Sequence, residues 1–173
     1  MGHSRRSVYD MADTAIAGER VPAPAQRISL RTAAPDFLRA MFALDEAASA
    51  GLDPGIRELV KLRASQINHC AFCVDKHYRD ARALGEPEHR LATLSVWRET
   101  PFFTARERAA LALAEAVTTL DHGEVPDEVY DEASRYFDAA ELPQLIAMCV
   151  TINAWNRIGV TTRMSPAPRT ARE

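Results

Sequence analysis

The chain is predicted to fold as a single all-α domain. Apolar residues recur at intervals of three and four, breaks between segments fall at helix-capping residues, and no stretch shows the sustained alternation and β-branched enrichment of a strand. At 173 residues it is long enough to bury one core without staples.

Residues 1–27 show no sustained period and carry the stretch Val21-Pro22-Ala23-Pro24-Ala25, which predicts a flexible N-terminal arm. Residues 166–173 share that character and are expected to be a flexible tail, leaving 28–165 as the helical domain. About seven helices are expected there. Pro35 opens one through Phe37, Leu38, Met41, Phe42 and Leu44, ending near Gly51. Asp53-Pro54 supplies an N-cap and a first-turn proline for a second, running to about Ile67. Asn68 suits the left-handed conformation that ends a helix. A third helix starts near Cys70 and stops before Gly85, and a fourth runs from Pro87 to about Trp97.

Thr104 and Glu107 form a capping box for a fifth helix to about Leu120. Pro126 opens a sixth, ending near Phe137. Asp138 and Glu141 then cap a long seventh helix that carries Leu142, Leu145, Ile146, Cys149, Ile152 and Trp155 along one face.

Composition excludes several function classes. Apolar residues make up 47% of the chain and charged residues 26%, with a formal charge of −3, so the basic face that nucleic acid requires is not expected. Charge or polar groups interrupt every apolar run, so no membrane span is expected. Arg5 and Arg6 are followed by no apolar run of signal-peptide length. Three cysteines cannot all pair within one chain, which suits a reducing, cytoplasmic setting. A close cysteine pair in such a compartment points to catalysis or metal binding.

That pair is Cys70 and Cys73. On a helix, residues three apart sit about 60° apart around the axis, and Cys73 and His77, four apart, sit about 40° apart. One stripe therefore presents two sulfurs and an imidazole. A thiolate is the nucleophile of dithiol chemistry, and it is favoured near a helix N-terminus or a positive group. One thiolate attacks a peroxide O–O bond to give a sulfenic acid, the other closes it to a disulfide, and an imidazole shuttles the proton. The helix end favours Cys70 as attacker and the imidazole favours Cys73, so spacing alone leaves the order open.

The run Glu58-x(4)-Arg63-x-Ser65-x(2)-Asn68-x-Cys70-x(2)-Cys73-x(3)-His77 resembles the core motif of the alkylhydroperoxidase D-like proteins, within the carboxymuconolactone decarboxylase superfamily. The likeness extends to the stretches Trp97–Phe102 and Asn153–Asn156. It implies an all-α fold assembling as a trimer or hexamer, with Cys73 attacking a small organic hydroperoxide and Cys70 resolving the sulfenic acid. It implies that Glu58 and His77 form a proton relay. No cofactor is required, and turnover draws on an external dithiol reductant, a lipoyl-carrying protein in the best-known members. Those members carry a second histidine immediately before the attacking cysteine, where this chain has Phe72.

Competing readings attach to the same residues. The cysteines could be small buried hydrophobes. Cys70, Cys73 and His77 offer three zinc ligands where a structural site usually has four, and no second ligand pair appears in the sequence. Covalent haem attachment is excluded because Val74 stands where that motif needs histidine. Glu58 could simply pair with Lys61 on a helix surface. On a helix this apolar it is instead expected to be partly buried, with its pKa raised. Cys149 reads as core packing, Trp97 and Trp155 as core or subunit-interface residues, and Asn153 and Asn156 as buried amides needing partners or marking an oligomer contact. A decarboxylase-like lyase and a dithiol redox sensor are the alternative functions.

Overall fold

A computed structural model of the chain describes residues 21–120 and 123–167. Among them are eight α-helices, one 3₁₀ segment and no strand, in the order α1 Leu30–Ala33, α2 Pro35–Ser49, α3 Pro54–Ile67, α4 Ala71–Ala83, α5 Glu88–Ala92, the 3₁₀ segment Leu94–Glu99, α6 Ala105–Thr119, α7 Asp127–Tyr136 and α8 Glu141–Thr162. The all-α expectation holds, while the count of about seven is corrected upward in two places.

The first is α1, a single turn that the sequence pattern did not reveal. Its limit is set by Pro35, whose ring disfavours helical geometry at the preceding residue, and Ala34 sits at φ −147°, ψ 62°. Proline therefore ends one helix and starts the next. The second is the expected helix from Pro87 to Trp97, which is broken. Thr93 turns its hydroxyl back onto the His89 carbonyl (2.8 Å), and Val96 leaves helical geometry at φ −123°, ψ 30°. A hydroxyl competing for backbone groups and a β-branched side chain both weaken a short helix.

The capping expectations are realised. Asp53 accepts from the Ile56 amide at 2.9 Å, and Thr104 and Glu107 form the reciprocal box. Asp138 Oδ1 accepts from the amides of Ala140 (2.8 Å) and Glu141 (2.9 Å), and Glu141 answers at the Asp138 amide.

Helix α3 is the hub, packed against α4, α6 and α8. Ile56 and Val60 enter a core cluster with Ala110, Leu113, Leu145 and Met148, while Leu59 and Leu62 enter another with Leu91, Leu94, Trp97 and Leu111. Each fully buried aliphatic side chain contributes about 1.5–3 kcal/mol relative to exposure. Because both sides of α3 face protein, its polar side chains Glu58, Lys61 and Ser65 are buried too. That placement creates the site.

Upstream of α1, Arg27 donates its backbone N–H to the Thr162 carbonyl (2.9 Å) and its guanidinium to that of Thr161 (3.1 Å). This pins the chain against the C-terminal end of α8. Of the expected arm, residues 1–20 lie outside the described residues, as do residues 168–173 of the expected tail. No described helix is long and apolar enough to cross a membrane.

Candidate functional site

The turn between α3 and α4 delivers both cysteines. The Cys70 amide donates to the Ser65 carbonyl at 3.0 Å and the His69 amide to that of Gln66 at 3.2 Å, the paired bonds of a Schellman ending. The left-handed residue of that motif is His69, at φ 56°, and not Asn68, which stays right-handed at φ −79°. The reason lies in the Asn68 side chain. Its amide donates across to Asn153 Oδ1 (2.8 Å) and Asn156 Oδ1 (3.0 Å) on α8, which fixes Asn68 inward and leaves exposed His69 to take the strained conformation.

Cys70 then caps α4 from its N-terminal side, and Val74 donates to the Cys70 carbonyl at 2.9 Å. Cys70 and Cys73 are joined by a disulfide, with Cα atoms 5.3 Å apart. The two sulfurs thus meet, although Cys70 reaches Cys73 from the extended N-cap position and not from a place on the helical stripe itself. Both cysteines are buried, at 1% and 5% exposure, beside Glu58 at 4% and His77 at 6%. On the other side stands Gly159 of α8, where a Cβ would lie 2.7 Å from Cys70 Sγ and 3.4 Å from Cys73 Sγ. Only a residue without a side chain lets α8 come this close. Sequence reading passed over Gly159, although a glycine inside a long helix costs roughly 0.5–1 kcal/mol relative to alanine and invites an explanation.

His77, one turn beyond Cys73, bonds through Nδ1 to Glu58 Oε2 at 2.8 Å, and Asp80 Oδ2 lies farther off at 3.9 Å. Glu58 Oε1 accepts from Arg57 Nε at 3.1 Å. The competing reading, in which Glu58 pairs with Lys61 on a helix surface, does not hold: Lys61 pairs with Asp45 of α2 at 3.1 Å. The raised pKa expected for Glu58 is corrected. Burial pushes it up, but the His77 hydrogen bond, the charges of His77 and Lys61 and the Arg57 bond outweigh burial and hold the carboxyl below its ordinary range.

Two openings meet at this pair. A cavity of about 480 Å³ has Cys73 and His77 in its wall, with apolar Leu38, Phe42, Phe72, Trp155 and Ile158 and basic Arg31, Lys61 and Lys76. A second, more polar opening of about 400 Å³ has Glu58, Asp80 and Arg57 in its wall. The Glu58–His77 bond spans the protein between them. Cys70 lines neither. The arrangement can pass a proton from the polar opening, through carboxylate and imidazole, to whatever meets Cys73 in the cavity.

The other candidates fall into place around this centre. Trp97 is core: its indole donates to Glu115 Oε1 at 2.9 Å, and the Arg98 guanidinium stacks 4.1 Å over its ring. Trp155 is not core but cavity wall, 5.3 Å from the Phe42 ring centre. Cys149 is fully buried, and desolvation pushes its thiol up to about 12, so it is inert. Asn153 and Asn156 find their partners inside the chain: Asn153 donates to Thr118 Oγ1 (3.0 Å) and Asn156 to Ser65 Oγ (2.9 Å). In the disulfide form Cys70 and Cys73 present no thiolate to a metal. The described group that brings three ligand atoms together is Glu58, His77 and Asp80, within 4.8 Å.

Known proteins share this architecture. The sequence profile of the carboxymuconolactone decarboxylase family matches residues 35–116. The chain is 38% identical over 136 residues to the uncharacterized protein YdfG of Bacillus subtilis, an alignment covering 78% of this chain and 92% of that one. A crystal structure of an Agrobacterium tumefaciens protein of unknown function, provisionally assigned as the antioxidant defence protein AhpD, superposes with a TM-score of 0.80 at 38% identity. That match covers 83% of this chain and all of the other (100%). An uncharacterized peroxidase-related protein with an alkylhydroperoxidase AhpD core from Ralstonia eutropha gives a TM-score of 0.69 at 26% identity, covering 78% and 73% of the two chains.

Proposed function

The chain belongs to the carboxymuconolactone decarboxylase family as an alkylhydroperoxidase D-like member, and from that premise we propose that it is a thiol-dependent peroxidase reducing organic hydroperoxides through a Cys70–Cys73 dithiol/disulfide cycle. One observation carries the reading: of two sulfurs in bonding contact, Cys73 shares a cavity wall with His77, while Cys70 is enclosed behind it.

In the reduced form, His77 takes the Cys73 proton. The Cys73 thiolate attacks the terminal oxygen of the hydroperoxide, the O–O bond breaks, and the departing alkoxide recovers a proton from His77 as the alcohol. Cys73 is left as a sulfenic acid. The Cys70 sulfur displaces its hydroxyl, which leaves as water, and the disulfide forms. An external dithiol then supplies two electrons and two protons to restore both thiols. Glu58, held ionised by its surroundings, keeps the imidazole Nδ1–H directed at itself and the other ring nitrogen free for the thiol. Phe72 offers no proton, so the relay is made of Glu58 and His77.

The proposal includes a lipoyl-type dithiol, free or protein-borne, as reductant, a trimeric or hexameric assembly and a cytoplasmic setting. The test is steady-state consumption of an organic hydroperoxide with a dihydrolipoyl dithiol, with thiols counted by mass spectrometry. Sustained turnover with cycling of one disulfide supports the peroxidase. Disulfide formation without turnover would leave a redox sensor, and lactone decarboxylation that survives Cys73→Ser would make the chain a lyase.

A further inference from the structure

The cavity beside Cys73 is not uniformly apolar, and its charges are unequally matched. Three basic residues border it. Lys61 is neutralised by Asp45 at 3.1 Å, and Lys76 pairs with Asp80 one turn along α4. Arg31 makes no ion pair or hydrogen bond among the described residues, although Arg27, four residues earlier, is engaged with the end of α8. Arg31 stands on α1, which packs on α2, whereas Cys73 and His77 enter from α4, which packs on α3 and α8. The reactive sulfur and the unmatched cation therefore belong to different walls of one cavity, with Leu38, Phe42, Trp155 and Ile158 among its other lining residues.

We propose that this cavity takes an amphipathic hydroperoxide with a carboxylate at the end remote from its –OOH group, Arg31 holding the carboxylate while the apolar walls take the chain and Cys73 meets the peroxide. The inference rests on the peroxidase reading and names its substrate class. A guanidinium offers a carboxylate two parallel N–H bonds, stronger than neutral hydrogen bonds, and an apolar wall gains from covering a hydrocarbon. A volume of about 480 Å³ falls in the range of pockets that enclose a small organic ligand. The two recognition elements together select against small neutral peroxides, which fill neither.

The experiment compares linoleic acid hydroperoxide, its methyl ester and cumene hydroperoxide in the wild-type protein and in Arg31→Ala and Arg31→Glu. The wild type should favour the acid over its ester in kcat/KM by on the order of tenfold, and added salt should shrink the margin. Arg31→Ala should erase the preference by lowering kcat/KM for the acid to that of its ester, and Arg31→Glu should invert it. Equal turnover of acid and ester by the wild type, or a preference that survives Arg31→Ala, overturns the inference. If none of the three peroxides is consumed, the peroxidase reading fails instead. Calorimetric binding of the matching hydroxy acid and its methyl ester then decides the Arg31 inference alone: selective, Arg31-dependent binding of the acid sustains it, and equal binding ends it.

Discussion

Gly159 and Cys70 approach so closely that a single added carbon has no room: a Cβ on Gly159 would lie 2.7 Å from Cys70 Sγ. Carbon and sulfur do not pack at that distance, so Gly159→Ala must push α8 away from the dithiol. Overpacking of this kind costs about 1–3 kcal/mol, offset by about 0.5–1 kcal/mol gained from replacing a helix-interior glycine. The oxidised variant should therefore unfold at lower urea than wild type, with slowed disulfide closure after peroxide treatment. An unchanged or higher midpoint would mean that α8 yields without cost.

The Glu58–His77 bond sets an acid limit on stability. Glu58 has its folded-state pKa lowered from 4.5, because its bonds and neighbouring positive charges outweigh burial. The folded protein then binds this proton less readily than the unfolded chain. The stabilisation is fully present above the unfolded value and is lost as pH falls through the depressed folded value. Urea midpoints taken at neutral pH and in acid should fall more steeply for wild type than for Glu58→Gln. The same substitution should lower peroxide turnover by roughly a hundredfold, the usual scale of a lost acid–base group. Parallel acid limbs for the two proteins would remove Glu58 from this account.

The two cysteines have separate roles, so their serine variants should fail differently. Cys73→Ser should consume no hydroperoxide. Cys70→Ser should react once and stop, with one oxygen retained on Cys73 as a sulfenic acid open to trapping by a dimedone-type reagent. Trapping on Cys70 in the opposite variant would reverse the assignment of attacker and resolver.

Much of this was legible in the sequence because it depends on local rules. The caps at Asp53, Thr104 and Asp138 and the spacing of Cys70, Cys73 and His77 are set within a few residues of chain. What was not legible depends on partners distant in sequence. Asn68 lost the left-handed position to His69 because its side chain is held by α8, some 85 residues on. Glu58 has a lowered pKa because α3 and α4 bring His77 to it, whereas helix composition alone suggested a raised one. Trp155 read as core or subunit interface, since periodicity cannot tell a residue facing protein from one facing a cavity. Gly159 gave a signal as a helix-interior glycine, but its reason is a sulfur on another helix.

The amides holding the α3–α4 turn should behave as one unit. Asn156 is fully buried, accepts from Asn68 at 3.0 Å and donates to Ser65 Oγ at 2.9 Å, while Asn68 also reaches Asn153 at 2.8 Å. Truncating Asn156 to alanine leaves Asn68 and Ser65 each short of a partner, a loss of about 1–3 kcal/mol. Asn68→Ala removes the same bond from the other end. The double variant should consequently lose less than the sum of the two single variants, by about 0.5–3 kcal/mol in a denaturant double-mutant cycle. Because Cys70 lies in this turn, two residues after Asn68, both single variants should also close the disulfide more slowly. Strictly additive losses would show that the amides act separately and that the turn is held by its backbone bonds alone.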